Sequence, residues 1–100
     1  MKKDVPPAAL LDANLLQLFE LIYDTRSVTR AAEQLGLAQP TVSIWLGKLR
    51  RQLNDPLFVR TQSGMLPTPE ADALIGTVRQ ALESLRYLVQ RETRFDPATS

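Results

Sequence analysis

Apolar residues recur at the helical period in four blocks, separated by short polar or proline-bearing breaks. Leu15, Phe19 and Ile22 make a central stripe that Leu11, Leu16, Leu18 and Tyr23 widen on both sides, which predicts a helix from Asp12 or Ala13 to about Thr25. So broad a stripe calls for two packing neighbours. Ser27 is placed to cap a second helix; Arg30 stands where a capping box would hold Glu or Gln, so the cap is a simple one. Ala31, Ala32 and Leu35 give that helix its contact surface, and Gly36 suits the left-handed residue that ends a helix. Leu37 and Ala38 fill a turn. Pro40 then fits the first position of a third helix, on which Val42, Leu46, Leu49 and Leu53 recur at spacings of four, three and four.

Asn54-Asp55-Pro56 breaks the third helix. Leu57 to Arg60 and Met65 to Pro67 read as short strands around the turn Thr61-Gln62-Ser63-Gly64, with a glycine available for positive φ. Thr68 caps the last block, with Pro69 at its first position and Glu70 in the favourable first turn. Ala71, Ile75, Val78, Leu82, Leu85 and Val89 form a heptad seam along it, and Leu74, Ala81 and Leu88 make a second line beside it. That face is too wide for one partner. Packing within one chain would leave much of it in water, so the first helix and the equivalent helix of a second chain are the expected neighbours. The predicted fold is mainly α: three helices and a β-hairpin forming a winged helix-turn-helix over residues 12–67, followed by a long dimerisation helix over 68–92. Residues 1–11 read as a flexible segment and 93–100 as a tail or the start of a hinge.

Composition narrows the chemistry. One hundred residues suffice for one domain with a modest core, and 44% hydrophobic with 23% charged is ordinary globular composition. The sequence contains neither Cys nor His. A disulfide framework, a Cys/His zinc site and a catalytic thiol or imidazole are thereby excluded, and no cofactor or metal is expected. Asp12, Glu20 and Asp24 lie on or near one helix, but no nucleophile or glycine-rich phosphate loop accompanies them, so an exposed acidic face is a simpler reading than an enzyme. The start of the chain carries two lysines but no long apolar run, and Pro6-Pro7 interrupts it, so neither a signal peptide nor a membrane span is expected. The expected location is the cytoplasm.

The net charge is only +1, but it is unevenly spread. From Arg26 to Pro67, six cations face Glu33 and Asp55, a local excess of four, while both flanks are net acidic. Such concentration is the footprint of a phosphate-binding face, although a small basic surplus is also common on ordinary surfaces. Opposite the apolar row of the third helix fall Ile44, Gly47, Lys48 and Arg51, flanked by Thr41 and Ser43. Ile44 is either a chance surface residue or a group that touches a thymine methyl in the major groove. Trp45, at the edge of the buried face, reads as partial core. Arg26 and Ser27, at the start of the second helix, could hold a phosphate; a solvated loop arginine competes with that reading. Arg60 on the hairpin could reach the minor groove or its phosphates, or remain a free surface cation.

The stretch RSVTRAAEQLGLAQPTVSIWLGKLRRQLNDPLFVRTQSGMLPTPEA resembles the N-terminal DNA-binding domain of LysR-type transcriptional regulators. S-x-T-x-A-A, Q-P-x-V-S, L-F-x-R-T and P-T-P occur in the family's order and spacing, and DPLFVRT and GM-x-PTP look most like the branch of nodulation and aromatic-degradation regulators. There are departures: Ala38 replaces a common Ser, and Ile44-Trp45 stands where many members carry Arg-Gln. The resemblance implies double-stranded DNA as partner, an antiparallel dimer of linker helices, a bacterial nucleoid setting, and a C-terminal effector domain that takes a small-molecule inducer. A two-fold pair of such readers implies an interrupted palindrome. Candidate contacts are Gln39, Thr41 and Ser43 to bases or nearby phosphates, Pro40 and Ile44 as apolar contacts, and Arg30, Lys48, Arg51 and Arg60 to phosphates or groove. Arg26, Ser27 and Thr61 complete the set. The resemblance supports Gln39, Pro40, Ser43 and Arg60 best; Lys48 and Arg51 rest on the helix face. Ala71, Leu74, Ile75, Val78, Leu82, Leu85 and Val89 are the dimerisation candidates. The expected molecule is a DNA-binding fragment of a longer regulator or, alternatively, a naturally short protein. A helical interaction module that binds no DNA is the competing function.

Overall fold

Asp12 opens α1 (Ala13–Thr25) by accepting a 2.9 Å hydrogen bond from the Leu15 N–H, and Arg26 ends it in the left-handed region at φ 59°. The computed structural model describes residues 11–94. Most of the flexible segment expected at 1–11, and positions 95–100 of the expected tail, lie outside the described residues. Ser27 caps α2 (Val28–Leu35) by accepting from the Arg30 N–H at 3.1 Å, and Gly36 terminates it at φ 69°. α3 (Gln39–Leu53) begins one residue earlier than expected, so Pro40 is its second residue, and Ala38 offers no side-chain cap. Asn54 stops it at φ 54°, a conformation that a short polar side chain tolerates.

The hairpin pairs β1 (Phe58–Thr61) with β2 (Gly64–Pro67) in antiparallel register, Phe58 opposite Pro67 and Thr61 opposite Gly64. Its turn is tighter than the sequence suggests. Thr61 and Gly64 belong to the ladder, and the Thr61 hydroxyl closes it by donating to the Gly64 carbonyl at 2.8 Å and accepting from the Ser63 N–H at 3.1 Å. Leu57 lies outside the strand at φ 67°, fully buried. α4 (Pro69–Arg94) outruns the expected end at residue 92.

α1 is the centre of the packing. Its Leu15, Leu18, Phe19 and Ile22 join Ala31 and Ala32 of α2, Val42, Leu46 and Leu49 of α3, Phe58 and Met65 of the hairpin, and Ala71, Val78 and Leu82 of α4 in one core. The Phe19 and Phe58 rings sit 5.5 Å apart, tilted by 60°. The broad stripe on α1 thus serves the helix pair, the hairpin and α4 together. The hairpin docks on the end of α1 through a 2.9 Å hydrogen bond from the Met65 N–H to the Arg26 carbonyl. The approach demands glycine at residue 64, where φ is 118° and a Cβ would lie 2.6 Å from that carbonyl oxygen.

Two polar devices hold α4. At its start Asp55 Oδ2 accepts from the Leu57 N–H at 2.9 Å and the Thr68 hydroxyl at 2.7 Å, while the Thr68 N–H donates to the Leu57 carbonyl at 2.9 Å. Along its flank Tyr23 donates to Asp72 at 2.7 Å, Arg79 meets Asp24 at 2.9 Å and Glu20 at 3.5 Å, and Arg86 meets Glu20 at 3.2 Å. Past Leu82 the helix leaves the core, and Leu85, Tyr87, Leu88 and Val89 are exposed. Among the described residues, no helix is long and apolar enough to cross a membrane.

Candidate nucleic-acid interface

One face of α3 is fixed by what the other buries. Val42, Leu46 and Leu49 are sunk in the core and Leu53 is half-buried, so at roughly 100° per residue the opposite side presents Pro40, Ile44, Gly47 and Arg51 in one line. Ser43 and Lys48 flank that line and are exposed; Thr41 is half-buried. α3 contains no acidic residue, and of its three cations Lys48 and Arg51 are exposed. Trp45 is half-buried against the core, in line with its expected part-core role.

The corner between α2 and α3 adds Gln39 and Arg30. Gln39 is exposed, and its Nε2 donates to Thr29 Oγ1 at 2.6 Å, so the first turn of α2 braces the head of α3. Thr29 was not among the sequence candidates, since a bond between residues ten apart leaves no periodic signal. Arg30 beside it is exposed. Ser27 is half-buried, its hydroxyl oxygen engaged as the cap of α2.

Arg26 is held differently from a free phosphate ligand. Its Nε donates to the Tyr23 carbonyl at 2.7 Å and its guanidinium lies 5.1 Å from the Tyr23 ring centroid, so the side chain folds back on the end of α1. Arg50 is likewise engaged, donating to the carbonyls of Pro56 at 2.8 Å and Phe58 at 3.1 Å and tying the base of the hairpin to the end of α3. Arg60 stands exposed on the hairpin; Thr61, half-buried, is occupied in closing its turn. The structure therefore brings Arg30, Gln39, Pro40, Ser43, Ile44, Lys48 and Arg51 to the exposed side of the helix pair, with Arg60 on the adjoining wing. Among the described residues no cluster of acidic side chains is arranged to hold a metal ion.

Comparison with known proteins gives this geometry a context. The family described as bacterial regulatory helix-turn-helix protein, lysR family, matches residues 13–72. The HTH-type transcriptional activator NahR of Pseudomonas putida is 50% identical over 90 residues, covering 90% of this chain and 30% of the relative. Nodulation protein D 1 of Bradyrhizobium elkanii is 38% identical, covering 90% of this chain and 29% of the relative. The chain thus spans about 30% of the length of such relatives. Among solved structures, a probable transcriptional regulator of Pseudomonas aeruginosa is 37% identical with a TM-score of 0.79, covering 86% of this chain and 29% of its own. The complex of BenM DBD with benA site 1 DNA is 25% identical with a TM-score of 0.75, covering 84% of this chain and 98% of the other.

Proposed function

The chain belongs to the lysR family of bacterial regulatory helix-turn-helix proteins, and from that membership we propose that it reads double-stranded DNA as a homodimer, on an interrupted palindrome. The observation that carries the reading is the outward face of α3, which combines exposed Ser43, Ile44, Lys48 and Arg51 with no acidic side chain on the helix. In this reading α3 lies in the major groove, Gln39, Pro40, Thr41, Ser43 and Ile44 approach base edges, and Arg30, Lys48, Arg51 and Arg60 neutralise phosphates or line the groove. Arg26, Ser27 and Thr61 act behind that front, by shaping the end of α1, the start of α2 and the wing. The exposed apolar end of α4 supports pairing through that helix, with Leu85 and Leu88 at its centre. The domain limits remain those read from the sequence, 12–67 for the reader and about 68–92 for the pairing helix, and the chain acts as the DNA-binding part of a longer regulator whose other part receives an inducer. It works in the cytoplasm, at the nucleoid, and carries out no catalysis.

Selection of bound duplexes from a random pool, followed by binding of the best duplex at several salt concentrations, tests the proposal. Enrichment of an interrupted palindrome with affinity falling steeply as salt rises is the expected result. Failure to enrich any sequence would favour the interaction module instead.

A further inference from the structure

We infer that Ile44 makes this chain a reader of the 5-methyl group of a pyrimidine, thymine in ordinary DNA, at one position in each half-site; this rests on the proposal that α3 enters the major groove. Three observations carry it. Ile44 is 60% exposed in the middle of the outward line of α3, whereas Val42, Leu46 and Leu49 of that helix are buried and Trp45 and Leu53 half-buried. Its neighbours one turn away on that line are Pro40 and Gly47, neither of which has a polar side-chain atom. Gly47 leaves the backbone bare, and a Cβ built there would meet only the Arg51 Nη1, at 3.5 Å, so the guanidinium folds back over the gap. The line is therefore an apolar ledge ending in a cation.

An isoleucine in a groove can neither donate nor accept a hydrogen bond. The apolar group that base edges present there is the C5 methyl of thymine. Contact with any other base edge would bury the side chain against unpaired polar atoms, at a cost. The folded-back Arg51 remains free to donate to a neighbouring acceptor edge, which guanine supplies in bidentate form.

The test replaces thymines one at a time by deoxyuridine in the best duplex selected from a random pool, which removes the methyl and keeps every base-pair hydrogen bond. We expect one position in each half-site at which uracil weakens binding about fourfold, the worth of one buried methyl, and about fifteenfold with both replaced. Ile44→Ala should bind the thymine and uracil duplexes equally, with an unchanged melting temperature because the side chain is exposed. Binding that ignores uracil everywhere, or a uracil effect that persists in Ile44→Ala, overturns the assignment while leaving DNA reading intact. If no duplex is enriched at all, the DNA-reading proposal fails and the assignment falls with it.

Discussion

The two halves of α4 share one sequence rhythm and meet different surroundings. From Ala71 to Leu82 the seam is covered by α1 and the hairpin, with Ala71, Val78 and Leu82 buried. From Leu85 onward the same rhythm continues into solvent, with Leu85 41% and Leu88 57% exposed. A heptad pattern therefore reports the demand for a partner and is silent on whether the chain itself supplies it. The first half is a piece of the domain's core; the second is apolar surface left exposed among the described residues.

The largest effect that separates the halves should come from Leu82→Ala. Emptying a fully packed site costs about 2–5 kcal/mol, read as a lower melting temperature at every protein concentration. Leu88→Glu should change the stability of the isolated chain by no more than about 0.5 kcal/mol, while shifting sedimentation towards a single protomer and removing any dependence of the melting temperature on concentration. A large loss of stability in dilute Leu88→Glu would break the comparison, since it would mean that the far half is also part of the core. At the border, Arg79→Gln removes ion pairs to Asp24 and Glu20. Because Arg79 is half in solvent, the expected loss is at most about 1 kcal/mol and should shrink as salt rises.

The smallest effect is alkaline. The hydrogen bond to Asp72, aided by burial, raises the Tyr23 phenol above its ordinary value of 10.0. A raised pKa in the folded state means that the contact contributes fully below 10.0 and is lost as pH climbs through the raised value. Melting temperature followed from pH 8 to pH 11 should fall at the alkaline end, and Tyr23→Phe should remove that part of the fall.

Much of this arrangement is legible in the sequence because it rests on local rules. Ser27 and Thr68 cap helices where they were expected, α1 starts at Ala13, one of the two starts the sequence offers, and Gly36 ends α2 as a left-handed residue. What was not legible depends on contacts across the fold. Leu57 takes φ 67°, which no local preference of a leucine suggests; it is held by Asp55 and Thr68 from either side of the hairpin. Arg26 reads from the sequence as either a phosphate ligand or a solvated loop cation, and the sequence carries no sign of its contact with Tyr23, three residues back, through Nε and the ring face. On the outward face of α3, Lys48 and Arg51 follow from periodicity and Gln39, Pro40 and Ser43 from the family resemblance, whereas the brace between Thr29 and Gln39 required the turn between α2 and α3 to be seen.

The Asp55–Leu57–Thr68 joint bears on the spacing of any site the molecule reads. It fuses the stop of α3, the base of the wing and the first turn of α4 by hydrogen bonds from one carboxylate and one threonine. In a two-fold pair joined through α4, no hinge then separates the pairing helix from the reading helix. The protein becomes a calliper of fixed opening, and one base pair inserted between half-sites moves the second target by about 3.4 Å and about 34° around the duplex, which DNA distortion has to absorb.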